Sequence, residues 1–154
     1  MNFRKLVITS SLLASTLFAG TYTVDKSHSN VGFEVKHMMI SNLKGKFDNF
    51  TGTFEYDEKT NTIKSLVGTI EVASINTDDK KRDDHLKGDD FFDITKYENI
   101  TFKLEKIKDN KAFGKLTIHG ITKDVELDFE NNGTIKDPWG NTRVGLALSG
   151  KINR

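Results

Sequence analysis

The stretch Val24–Phe47, VDKSHSNVGFEVKHMMISNLKGKF, carries the first clear pattern in the chain. Val31, Phe33, Val35 and His37 share one parity, and Gly32, Glu34 and Lys36 alternate with them. Successive side chains of a strand point to opposite faces, so this period of two predicts a strand buried on one side. A strand that only packs a core does not need a histidine at each end, yet His28 and His37 flank this one. The pattern predicts that Val31, Phe33 and Val35 face an apolar space and that His37 ends the row at its mouth.

The same period recurs along the chain. GTFEYDEKTN follows, with Asp57 to Asn61 reading as a turn. TIKSLVGTIEVASIN places Leu66, Ile70 and Val72 on one face, with Gly68 expected as a bulge or bend. Further rows are Ile100, Phe102 and Leu104; Leu116 and Ile118; Val125, Leu127 and Phe129; and Val144, Leu146, Leu148 and Ile152. This predicts about seven strands, several joined by short turns such as KDNK, HGITK and KDPWGN. One segment, NTDDKKRDDHLKGDDFFDITKYEN, is charged and does not alternate. It predicts a short helix over Asp78 to Leu86, capped in the Asn76-Thr77-Asp78 region, and then a turn carrying Phe91 and Phe92. The expected class is all-β and antiparallel, with one inserted helix and no linker dividing the chain. Such strands make a sandwich or a barrel. A barrel of eight is plugged by side chains or holds one small ligand. With Val, Ile, Leu and Phe facing inward, that ligand would be long and apolar. A sandwich with a filled core, meeting a protein partner at its edge strand, stays open as the alternative.

Composition narrows the function. A length of 154 residues fits one domain of the usual ~100–200 residues. Formal charge is +1, from 23 basic and 22 acidic residues, which supplies no global field for nucleic acid. There is no cysteine, which excludes disulfides, thiolate metal sites and a lipidated N-terminal Cys. The first residues, MNFRKLVITSSLLASTLFAG, have Arg4 and Lys5, an apolar run from Leu6 to Phe18 and a small-residue exit. They read as a secretory signal peptide over residues 1–19, cleaved after Ala19. The run is shorter than the ~20 residues of a membrane span. The expected mature domain is residues 20–154, periplasmic or secreted, with no integral span after cleavage.

Four stretches together resemble the YceI-like family of exported polyisoprenoid-binding proteins. They are YTVDKSHSNVGFEVKHMMIS (Tyr22 to Ser41), KGKFDNFTGTFEYD (Lys44 to Asp57), RDDHLKGDDFFDITKYENITFK (Arg82 to Lys103) and GKLTIHGITKDVELD (Gly114 to Asp128). The closing LSGKINR fits the same pattern. The resemblance implies an extended lipocalin-like barrel of about eight strands. It implies a carrier or storage protein, not a catalyst, holding a polyisoprenoid, isoprenoid quinone or fatty amide in the lumen. The family usually continues past INR with an Asp-Phe-Gly stretch and a closing strand, whereas this chain stops at Arg154. The expectation is therefore an open edge, with closure by a homodimer as the alternative.

The residues expected to line the ligand are Val31, Phe33, Val35, His37, Phe47, Phe50, Phe54, Ile70, Val72, Phe91, Phe92, Phe102, Leu104, Leu116, Ile118, Leu127 and Phe129. The parity of Phe47 and Phe50 is left open, because the turn before them can shift register. His28, His37, His85 and His119 show no metal-ligand spacing, so no metal and no cofactor are expected. His28 and His37 are expected to hydrogen-bond loop backbone at the rims, His37 also meeting a ligand head group. Arg82, Asp84 and His85 are expected to lock the rim, Arg82 through a carboxylate. Lys44 to Lys46 read as a basic rim turn. Asp25, Ser27, His28 and Ser29 are neighbours, but alternation on a strand would turn both serines away from His28, and no nucleophile elbow is present. Enzyme activity is not expected, and a lipid-modifying enzyme is the weakest alternative.

Overall fold

Alternating rows become sheet wherever their apolar face finds a partner, and here nearly all of them do. The computed structural model describes residues 5–18, 20–37 and 41–153, and the side chains of residues 5–18 and 37 lie outside that description. The strands are β1 (Lys5–Phe18), β2 (Thr21–Val24), β3 (Asn30–His37), β4 (Ser41–Phe47), β5 (Phe50–Asp57), β6 (Thr62–Glu71), β7 (Ile75–Asn76), β8 (Asn99–Lys108), β9 (Lys111–Ile118), β10 (Ile121–Lys136) and β11 (Thr142–Asn153). Helix α1 (Lys80–Leu86) lies between β7 and β8. The seven rows read from the sequence are β3, β5, β6 and β8 to β11. Strands β1, β2, β4 and β7 are additional.

All pairings are antiparallel. The circuit β11-β10-β9-β8-β6-β5-β2-β1 closes because β1 also pairs with β11. The expected open edge is thus occupied: Leu6 faces Ile152, Leu12 faces Leu146 and Ser15 faces Arg143. The other side of β1 takes two strands in succession. Val24 of β2 faces Ala14, and Asn30 of β3 faces Ser11. The break between them is a 3-10 turn at Lys26–His28, capped where Ser27 N donates to Asp25 Oδ1 at 3.0 Å.

The barrel has two unlike ends. The β5–β6, β8–β9 and β10–β11 turns make one, the hairpin end. The other, the helix end, carries the β9–β10 turn, α1 and the loop that follows it. Helix α1 starts at Lys80 rather than Asp78, because Asp79 is the cap and accepts from Arg82 N at 3.1 Å. Gly68 is not a bulge: it pairs in register with Gly52, and the β5–β6 register shift falls at Glu55/Tyr56. The strand through Ile70 ends at Glu71, and Val72–Ser74 form a second 3-10 turn. Lys44 to Lys46 lie inside β4 and are not a turn.

Candidate functional site

The inward rows meet in two buried apolar clusters. At the hairpin end are Tyr22, Phe54, Tyr56, Leu66, Leu104, Ala112, Leu127, Phe129, Val144, Leu146 and Leu148. Tyr22 stacks on Phe54 with centroids 5.2 Å apart, and Tyr56 meets Tyr22 edge-on at 6.0 Å. At the helix end are Val31, Phe33, Phe47, Phe50, Val72, Ile75, Ile100 and Leu116, with Val35, Ile70, Phe92, Ile94 and Ile118 half-buried against them. Val24, Phe102 and Val125 touch both clusters, so the two form one continuous apolar interior.

All the expected lining residues except His37 and Phe91 lie in this interior. Phe47 and Phe50 are both buried, which settles their parity. The side chain of His37 lies outside the described residues. Phe91 stands apart, its ring edge-on to His85 at 5.0 Å. Phe92 goes inward instead and meets Phe47 edge-on at 6.3 Å. Tyr22, Tyr56 and Leu146 were not in the expected lining. Leu146 stands in a row that the sequence already showed, and Tyr22 is two residues before Val24 in the same period.

Two glycines shape the inner wall. The ring of Phe33 lies over Gly45, where an added Cβ would come 2.3 Å from Phe33 Cζ. Phe102 lies over Gly114, where a Cβ would meet Lys103 O at 2.4 Å and Phe102 Cε2 at 2.8 Å. Without side chains at these positions, both rings can lie flat on the neighbouring strand.

The segment after α1 covers the helix end. Phe92 N donates to Leu86 O at 3.1 Å, and Tyr97 N donates to Asp93 O at 2.9 Å. Beside it runs an open groove of ≈470 Å³, lined by Phe50, Ala73 and Ile94 together with Glu71, Glu98 and Asn99. Thr51 and Thr69 also line it, and with Asn99 they alternate with the inward Phe50, Ile70 and Ile100, so the groove runs over the outer face of the sheet at this end. The expected lock is built differently from its sequence reading. The Arg82 guanidinium closes on Thr77, with Nε donating to Oγ1 at 2.9 Å and Nη2 to the carbonyl at 2.8 Å. Its nearest carboxylate, Asp79, stands 4.0 Å away. Asp83, not Asp84, ties the segment by accepting from Thr77 N at 2.9 Å and Thr77 Oγ1 at 2.6 Å. Asp84 pairs with Lys80 on the surface.

The other rim cluster also departs from expectation. The 3-10 turn brings Ser27 Oγ to 3.0 Å from His28 Nδ1, so strand alternation does not separate them. His28 bonds the Asp25 carboxylate at 2.8 Å rather than loop backbone. This is still not a catalytic triad. Ser27 Oγ donates its one hydrogen to Asp25 Oδ1 at 2.7 Å, and both contacts of His28 fall on Nδ1. A relay needs the serine on one ring nitrogen and the acid on the other. Arg143 Nη1 also donates to Asp25 at 2.7 Å, and Arg143 Nε donates to Asp137 at 3.0 Å. Hydrogen bonds from Ser27, His28 and Arg143 hold the Asp25 carboxyl well below the usual carboxylate range.

The comparisons agree with this architecture. A family model described as a YceI-like domain matches residues 22–154. A UPF0312 protein of Staphylococcus aureus is 40% identical over 134 residues, covering 86% of this chain and 78% of that protein. The crystal structure of the Campylobacter jejuni YceI protein is 42% identical with a TM-score of 0.69, covering 83% of this chain and 78% of that one. Burkholderia cenocepacia BcnA shares the fold at 20% identity and a TM-score of 0.54, covering 94% of this chain and 96% of that one.

Proposed function

We propose that this chain, which belongs to the YceI-like family, is a non-catalytic binding protein that holds a long apolar chain in its barrel. The cargo class is a polyisoprenoid, isoprenoid quinone or fatty amide, carried or stored. The observation that carries this reading is the continuous apolar interior joined through Val24, Phe102 and Val125. Transfer of hydrocarbon from water is worth ~0.8 kcal/mol per buried CH₂, so a long tail needs few polar contacts. The loop cover of the helix end, through Phe92 and Ile94, supports entry there. The leader-like composition of residues 1–19 supports export to the periplasm or the medium, and cleavage after Ala19 would remove β1 and leave β11 without that partner.

Organic extraction of the purified protein, followed by lipid mass spectrometry, tests this reading. A stoichiometric long-chain lipid is expected. A folded protein that carries none, and takes none up when offered, would reject it. Phe33→Glu places a charge among Val31, Phe47 and their neighbours. It is expected to abolish uptake, and a folded variant that still binds lipid normally would show that the cargo lies elsewhere.

A further inference from the structure

Among the described residues, one buried side-chain polar atom has no hydrogen-bond partner: His119 Nε2. Buried polar atoms in native structures are nearly always paired, and an exception calls for a ligand, ion or water to complete it. His119 occupies a particular place. The inward row of β9, Ala112, Gly114, Leu116 and Ile118, ends at the residue before it. Ile118 packs into the helix-end cluster with Phe92 and Ile94.

The turn holds the imidazole there. His119 has φ +54° and Gly120 has φ +72°, a left-handed pair that suits a two-residue hairpin. The His119 ring lies on Tyr97 with centroids 4.4 Å apart. A Cβ on Gly120 would stand 2.5 Å from Tyr97 Cε1, so the absence of a side chain is what lets Tyr97 approach. The unpaired nitrogen is thus held against Tyr97 in the turn one residue past Ile118, the last member of the inward row. A cargo that was hydrocarbon throughout would leave it unpaired.

We propose that His119 is the head-group residue of the barrel, its Nε2 hydrogen-bonding a terminal uncharged oxygen of the long-chain cargo. This rests on the lipid-binding reading above. A hydroxyl suits either tautomer, because it donates to a bare nitrogen and accepts from a protonated one. A carbonyl oxygen suits the protonated nitrogen alone.

The test uses the full chain, stripped of lipid and titrated with a C40 polyprenol and with the matching C40 hydrocarbon lacking the hydroxyl. The wild type is expected to prefer the polyprenol by about five- to tenfold, the worth of one net hydrogen bond. His119→Phe keeps a ring against Tyr97 and removes the nitrogen. His119→Asn tolerates the left-handed turn, where a bulky residue is strained, and withdraws the polar atom from that place. Both variants are expected to bind the hydrocarbon as the wild type does and to lose the preference. Equal binding of the two ligands by the wild type would overturn the inference and leave the lipid reading standing, as would a preference that survives in both variants. Failure of the wild type to bind either ligand would overturn the lipid reading, and the inference with it.

Discussion

The two halves of the interior are built from the same residue types and finished to different degrees. At the hairpin end, Tyr22, Val144 and Ala112 are 0% exposed and Phe54 and Leu146 are 1% exposed, around a stacked aromatic pair. Half-buried residues pack against both ends, Ile63 and Ile107 among them at the hairpin end, but more of them ring the helix end, including Val35, Ile70, Phe92, Ile94, Ile118 and Ile152. Part of that ring comes from a loop rather than a strand. A half walled by sheet can close on itself, whereas a half covered by a loop can open without breaking a ladder. In the binding reading proposed above, the difference gives stability to the hairpin end and the entry of the cargo to the helix end.

The largest expected effect is on the finished half. Phe54→Ala should cost about 3–5 kcal/mol, as for a fully buried aromatic. Phe92→Ala should cost less and weaken lipid binding more. Denaturant melts beside lipid titrations check the pair, and equal losses in both assays would erase the distinction between the halves. Gly114→Ala comes next, at about 1–3 kcal/mol, because its Cβ meets both Lys103 O and Phe102. Thermal melts read that cost, and a neutral result would show that the Phe102 ring is free to move off the wall.

Arg143→Ala should lower stability at pH 7 and make its acid dependence shallower. Asp25 has a depressed folded value, so its contribution is present above the unfolded value of about 3.9 and is lost as pH falls towards the folded one. Removing Arg143 takes away one of the groups that depress it. Melts from pH 7 down to pH 2 should therefore show the variant and the wild type converging in acid, and parallel curves would contradict this account. The smallest effect belongs to the surface. Lys80→Ala breaks an exposed pair with Asp84 and should leave the melting midpoint unchanged.

How much of this was legible in the sequence depended on what set each conformation. The rows through Phe102, Leu116, Leu127 and Leu146 were legible because period two is a local signal. Strand β1 was not, because an apolar run with a basic start reads as a leader whatever it pairs with. Its pairing depends on β11, which no local pattern reports. The turn at Lys26–His28 was read through as strand, although Asp25 followed by Ser27 is the kind of pair that turns a chain by side-chain to backbone hydrogen bonding. In the sequence His119 falls with Lys115 and Thr117 on the face opposite Leu116 and Ile118, and it lacks metal-ligand spacing. Its unpaired nitrogen becomes visible only once Tyr97, from another part of the chain, lies on its ring.

The pairing of β1 with β11 also bears on when the molecule can take shape. One is the earliest strand in chain order and the other the latest, so during synthesis every other strand emerges between them. The circuit has no way to close until translation has reached β11, and neither has the Asp25–Arg143 contact, which spans 118 residues. Contacts this distant are slow to form.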